Sequence, residues 1–303
     1  MKWWGKKIGL ALGGGGARGL IHIGVLKVFE QEKLPIHVIA GTSIGAMIGG
    51  AYASGTSPGE LQKKVQVYIG SSEFQSSAIH AISASYAQER GSLTQKIQSF
   101  LKNHFYLIQM LFRPGILSVG DFQSMIHYFI PDIRIEDTHI PFRAVATDLV
   151  SGEKIVFSRG SLRQAVMASC AVPGAIEPLK EKERLLADGG IISLVPVRVA
   201  KDAGADVVVA VVVDRDIRLD EELKTAKDIY YRASEITVDK LEKYELREAD
   251  IIIHPDVKNL HWSDFAQATD LIEEGEKAAK ENLVKIRGAM SLFSRLLKRG
   301  RYG

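Results

Sequence analysis

The chain predicts an α/β fold, a three-layer α/β/α sandwich around a mostly parallel central sheet, from three observations. Short apolar runs alternate with helical patterns along most of its 303 residues. Some runs are apolar at every position, "VVVAVVV" (207–213) most plainly, which suits strands covered on both faces. Glycines cluster where a run ends and a helix begins, as at the β-to-α turns of an open sheet.

In order, "IGLAL" (8–12) reads as a buried strand, followed by an amphipathic segment over 17–32 that ends near Lys33 and Pro35. "IHVIAG" (36–41) reads as the second strand, followed by a helix of small residues over 44–54. Further strands are expected at "FRAVATD" (142–148), "KIVFS" (154–158), "RLLAD" (184–188), "DVVVAVVVD" (206–214) and "ADIIIHP" (249–255). Dense charge marks 220–246 and 263–299 as long helices standing outside the sheet layers. The stretch 70–120 is the least regular: Ser-rich at first, then strongly apolar at "FYLIQMLF" (105–112), then stopped by Pro114-Gly115. It is a candidate insertion or lid. No internal repeat or low-complexity segment interrupts the pattern.

The length suggests one large domain with an appendage, and 46% hydrophobic with 25% charged residues suits a globular core. The net charge of +3 is unevenly placed. Beyond Glu281 there are six cations and no acid, so the rest of the chain is net negative. The tail "AMSLFSRLLKRGRYG" sets an apolar helical stripe beside Arg295, Lys298, Arg299 and Arg301, a pattern that suits an anionic membrane surface. The basic patch is too small and too terminal to suggest nucleic acid. Cys170 is the single cysteine, which excludes an internal disulfide and fits a reducing compartment. The apolar part of "MKWWGKKIGLALGG" is too short for a secretory core, and no run approaches bilayer-spanning length. The expected location is therefore cytoplasmic, soluble or peripheral on the inner membrane face.

A glycine loop between strand and helix gathers backbone N–H groups and the positive helix end into an anion site. Gly14-x-Gly16-x-x-Gly19 matches the dinucleotide fingerprint, which makes a nucleotide-binding Rossmann-type protein the alternative reading. That reading needs an acid closing the second strand to hold a ribose, and "HVIAGTS" contains none. No Lys-Ser or Lys-Thr follows the glycines either, so a P-loop is absent.

The second strand ends instead in Gly41-x-Ser43-x-Gly45, which places a serine on a sharp strand-to-helix turn. Alone, Ser43 is equally explained as a helix N-cap. Two consecutive β-to-α turns of a parallel sheet, however, lie side by side at the strands' carboxyl ends. One turn then offers a hydroxyl and its neighbour offers N–H donors, the equipment of acyl transfer. None of the eight histidines sits in a context that marks it as the base; His22 falls within a helix and His37 at a strand start. Two strand-ending carboxylates remain, Asp188 in "RLLADGG" and Asp148 in "RAVATDLVSGE", and the residues alone do not separate them. No His, Cys or acid cluster suggests a metal site.

"GGGARG" (14–19), "GTSIG" (41–45) and "DGG" (188–190), in that order, resemble the patatin-like phospholipase family, in particular its small bacterial members. "ASCAVPG" (168–174) resembles a family segment just before the acidic motif, and the likeness spans roughly residues 7–200. The resemblance implies a serine esterase or lipid acyl hydrolase working through an acyl-enzyme, with no metal or organic cofactor. It implies Ser43 as nucleophile, Asp188 as base, Gly14, Gly15 and Gly16 as oxyanion donors, and Arg18 as support of the glycine loop. Gly41 and Gly45 would form the nucleophile elbow. The expected organisation is an acyl hydrolase domain over 5–258, with 70–120 as its lid or insertion, and a helical extension with a basic tail over 259–303. The expected partner is a lipid or other acyl ester.

Overall fold

Five consecutive buried residues make β1 (Ile8–Leu12), a central strand with apolar contacts on both faces. Ile8, Leu10 and Leu12 join the largest core cluster, and Ala11 joins a second cluster on the opposite side. Alternating side chains thus feed two layers, as strand geometry requires. The computed structural model describes residues 6–76, 80, 119–214, 223–257, 260 and 263–290. The apolar run 105–112, nearly all of the proposed lid, and Arg295, Lys298, Arg299 and Arg301 lie outside the described residues.

Eight strands form one sheet among the described residues. Besides β1 they are β2 (Val38–Thr42), β3 (Phe142–Asp148), β4 (Lys154–Phe157), β5 (Leu179–Glu181), β6 (Arg184–Asp188), β7 (Val207–Val211) and β8 (Ile251–Ile253). The order is β5-β6-β3-β2-β1-β7-β8, with β4 paired to β3. β3, β2, β1, β7 and β8 run parallel, and β4, β5 and β6 add antiparallel pairings. The helices are α1 (Ile21–Gln31), α2 (Ile44–Ala53), α3 (Pro58–Ile69), α4 (Ser72–Gln75), α5 (Val119–Phe129), α6 (Leu162–Ser169), α7 (Val197–Asp202), α8 (Ala226–Leu246) and α9 (Ala268–Met290). The first cluster holds α1, α2, α3 and α9, whereas residues of α7 and the end of α8 cover the other face. The fold is the expected α/β/α sandwich.

Two expectations about helices are corrected. The segment 17–32 is not one helix but a 3-10 turn (Gly16–Leu20) leading into α1, which is buried except along one polar strip at Lys27, Glu30 and Gln31. The cause is α9, expected outside the layers, which lies directly on α1. The contact is as close as backbones allow. A methyl group on Gly24 would collide with the Ile272 carbonyl oxygen, and one on Gly275 with that of Ile21. Leu271, Ile272, Ala279 and Ile286 are buried in the same interface. Gly24→Ala is expected to destabilise the protein by about 3 kcal/mol through overpacking, read as a lower urea midpoint at unchanged slope.

Candidate active site

The site is built where three chain reversals meet. β1 and β2 are parallel neighbours, with Leu12 opposite Gly41, so the glycine loop after β1 stands beside the turn after β2. A Cβ placed on Gly14 would lie 3.3 Å from the Ser43 Cβ.

The turn at Ser43 is tight and strained. Ser43 has φ 55° and ψ −126°, a conformation that L-residues adopt rarely and that is stored where function requires it. The flanking glycines leave room for the reversal. A methyl on Gly41 would meet Gly45 O, and one on Gly45 would meet Leu12 O. α2 begins immediately, and Ser43 O accepts from Ala46 and Met47.

The register of β3 explains how a residue 145 positions downstream reaches this serine. β2 pairs with β3 as far as Thr42 opposite Val145, and β6 begins one place further on, with Asp188 opposite Ala146. β4 occupies the opposite edge of β3 over residues 144–147. β2 and the antiparallel β6 therefore abut end to end on one edge of β3. Their carboxyl ends meet, which brings Ser43 and Asp188 together. Gly189 permits the turn that follows, because a methyl there would strike Val145 O.

Asp188 is buried, and Oδ1 accepts the Gly190 N–H at 2.7 Å. Burial pushes its pKa up to about 6, with the Ser43 hydroxyl and the Gly190 amide each pulling it partly back. The serine is thus near enough to favour the ionised carboxylate. The approach nonetheless falls short of a full hydrogen bond, because Oδ2 is buried with no bonded partner. Thr147 Oγ1 donates to the Asp188 carbonyl at 3.0 Å and holds its backbone.

Asp148, the other carboxylate at a strand end, is spoken for. Its oxygens accept from Val150 N, Leu185 N and Ser151 Oγ, closing the turn to β4. Burial raises its pKa, but these donors outweigh that and hold it below the usual carboxylate value.

The glycine loop is divided by its hydrogen bonds. Gly13 N donates to Val211 O and Gly14 N to Leu194 O at 3.0 Å. Gly14 was expected among the oxyanion donors, and its amide is instead consumed in tying the loop to the segment after Asp188. Gly15 and Gly16, at the start of the 3-10 turn, have no intrahelical partner for their N–H groups, as the first residues of any helix lack one. Gly16 sits at φ 61°, where a side chain would be strained. Arg18 supports the loop rather than facing its open side. Its Nε donates to Gly15 O at 3.2 Å, and its guanidinium pairs with Asp214 at 2.7 Å.

The histidines near the motifs are structural. His22 is fully buried with Nε2 2.8 Å from Gly13 O, and burial lowers its pKa to about 4. His37 Nδ1 accepts the Ile8 N–H at 3.0 Å. Among the described residues no group of three His, Cys, Asp or Glu side chains could hold a metal ion. No helix among them is long and apolar enough to cross a membrane.

Residues without a role assigned from the sequence complete the surroundings, Ser169 of "ASCAVPG" among them. Ser43 N donates to Ser169 Oγ at 2.9 Å. Thr42 Oγ1 donates to Ser193 O at 2.8 Å, so the loop after Asp188 also grips the end of β2. Glu245 of α8 accepts from the Ser193 hydroxyl and the Val195 amide. Burial raises its pKa, partly offset by those donors. No local pattern could have located Glu245, which acts 52 residues away from Ser193.

Residues 10–201 match the family model described as patatin-like phospholipase. An uncharacterised NTE family protein of Mycobacterium bovis is 35% identical over 205 residues, covering 68% of this chain and 48% of that protein. Human patatin-like phospholipase domain-containing protein 6 is 32% identical over 209 residues, covering 68% of this chain and 13% of that protein. The chain thus matches about half the length of its mycobacterial relative and a small part of the human one. Among solved structures, VipD from Legionella pneumophila superposes with a TM-score of 0.48 at 16% identity, covering 93% of this chain and 67% of that one.

Proposed function

The chain belongs to the patatin-like phospholipase family, and from that premise we propose that it hydrolyses carboxylic esters of lipids through Ser43 and Asp188. The observation that carries the reading is the junction of β2 and β6 on one edge of β3, which faces a strained serine with a buried carboxylate of pKa about 6. A base so raised is ionised at neutral pH yet far more basic than an ordinary aspartate.

In this reaction Asp188 takes the Ser43 proton as Oγ bonds to the ester carbonyl carbon. The carbonyl oxygen becomes an oxyanion against the Gly15 and Gly16 amides, each such donor being worth about 2.7–4 kcal/mol. Collapse of the intermediate expels the alcohol, which leaves with the proton from Asp188, and an acyl-Ser43 enzyme remains. Water, deprotonated by the same carboxylate, attacks the acyl carbon; the bond to Ser43 Oγ breaks, the acid is released, and Asp188 returns the proton to Ser43 Oγ. Arg18, anchored on Gly15 O and Asp214, keeps the loop amides in place before the charge develops. Arg295, Lys298, Arg299 and Arg301 supply the contact with an anionic membrane face in this reading.

Fluorophosphonate labelling tests the proposal directly. The purified chain should form one covalent adduct, mapped by mass spectrometry to the peptide containing Ser43. Bound nucleotide in the purified protein, with no adduct at Ser43, would favour the Rossmann-type alternative.

A further inference from the structure

Three consecutive residues where α6 ends touch both halves of the candidate pair. The Ser169 hydroxyl accepts the Ser43 N–H at 2.9 Å, and the Ala171 carbonyl accepts the Asp188 N–H at 2.8 Å. Between them stands the Cys170 thiol, buried, its pKa raised by that burial and by the Asp188 charge, and lowered in part by the Ser43 hydroxyl. One short segment therefore holds the serine's backbone amide on one side and the aspartate's backbone amide on the other.

The bond to Ser169 has a particular task. Ser43 follows the last ladder pair of β2, Thr42 opposite Val145, and precedes the first turn of α2. Its amide is in a buried place where neither sheet nor helix offers an acceptor, and an unmet amide there is costly. Its backbone is also held at φ 55°, away from the favoured regions. A side-chain acceptor at this one position satisfies the amide and fixes the strained turn together. Ser169 is itself fully buried, so its rotamer is confined by packing.

We infer that Ser169 is a positioning residue: by accepting the Ser43 amide it aims the Ser43 hydroxyl at Asp188, with Ala171 setting the carboxylate at the other end of the same segment. The inference rests on the hydrolase reading above. It goes beyond that reading by assigning the geometry of the pair to a residue that does not touch substrate.

The test compares wild type with Ser169→Ala, Ser169→Thr and Ser169→Cys. It measures kcat and KM on p-nitrophenyl butyrate, the rate of fluorophosphonate labelling of Ser43, the pH profile, and folding by circular dichroism. Ser169→Ala should lower kcat and the labelling rate together by about a hundredfold, the scale of a small misplacement of a reacting group, with KM nearly unchanged. The acid limb of its pH profile should move to higher pH, because a Ser43 hydroxyl no longer aimed at Asp188 stops lowering the carboxylate's pKa, while the Gly190 bond remains. Ser169→Thr, which keeps the hydroxyl, should restore most of the rate. If Ser169→Ala fails to fold, Ser169→Cys, similar in size but with a weak sulfur acceptor, carries the same expectation.

A folded Ser169→Ala or Ser169→Cys protein that labels and turns over at the wild-type rate overturns the inference. So does a loss confined to KM, or a folded Ser169→Thr no better than the alanine variant. Wild-type protein that neither labels nor hydrolyses the ester overturns the hydrolase reading itself, and this inference with it.

Discussion

Ser43→Ala is expected to lower kcat/KM on a short-chain p-nitrophenyl ester by about 10⁴-fold or more, since in the proposed reaction the covalent intermediate forms on its hydroxyl. The fold should survive the change. Alanine meets the same backbone demand at φ 55° as serine does, and the bond to Ser169 comes from the main chain. Only the hydroxyl is lost. Far-UV circular dichroism and the melting temperature check the fold, and turnover checks the chemistry. Turnover near the wild-type level in a folded Ser43→Ala protein would refute the nucleophile.

Asp188→Asn is expected to remove comparable activity and, at the same time, to stabilise the protein. The carboxylate has a pKa moved by burial from its ordinary 3.8 to about 6. Above pH 6 the folded chain must hold this charge out of water, which costs about 3 kcal/mol by the size of the shift. Asparagine has no such charge and retains an oxygen that can accept from Gly190. The melting temperature of Asp188→Asn should exceed that of the wild type at pH 8. The advantage should shrink as pH falls through 6 and vanish below about 4, where the wild-type carboxyl is protonated in both folded and unfolded chains. Stability sacrificed for activity at a site of this kind is common.

The same shift sets the pH dependence of the wild-type enzyme. The base works only when ionised, so kcat/KM should be level above neutrality and fall tenfold per pH unit well below pH 6. His22 cannot impose that limb, because burial places its own titration near 4. Activity kept in a folded Asp188→Asn protein refutes the dyad, and activity lost on His22→Ala or His37→Ala with folding preserved puts a histidine triad in its place.

Much of this architecture is written in local patterns. The strand at 8–12 is a short all-apolar run followed by glycine and occurs where expected, and its neighbour, expected over 36–41, forms at 38–42. Ser43 lies at the strand-to-helix turn that Gly41 and Gly45 announce, since a reversal this tight needs small residues on both sides. These features depend on neighbours in the chain, so a linear pattern reveals them. The long charged segment over 268–290 misled for the same reason: its exposed face dominates the pattern, and the stripe of Leu271, Ile272, Ala279 and Ile286 on α1 is seen only once the helices are paired.

From residue order alone the chain specified its layered class, the serine on its turn, the glycines beside it, and two carboxylates able to serve that serine. Tertiary structure brings Asp188, and not Asp148, beside Ser43, because that depends on which strand ends meet along β3, a matter of register between segments far apart in the chain. It also spent the Gly14 amide on Leu194 and brought Ser169 to the Ser43 amide. Hydrogen bonds form between groups that folding makes adjacent, and no local pattern records which distant partner a given N–H will find.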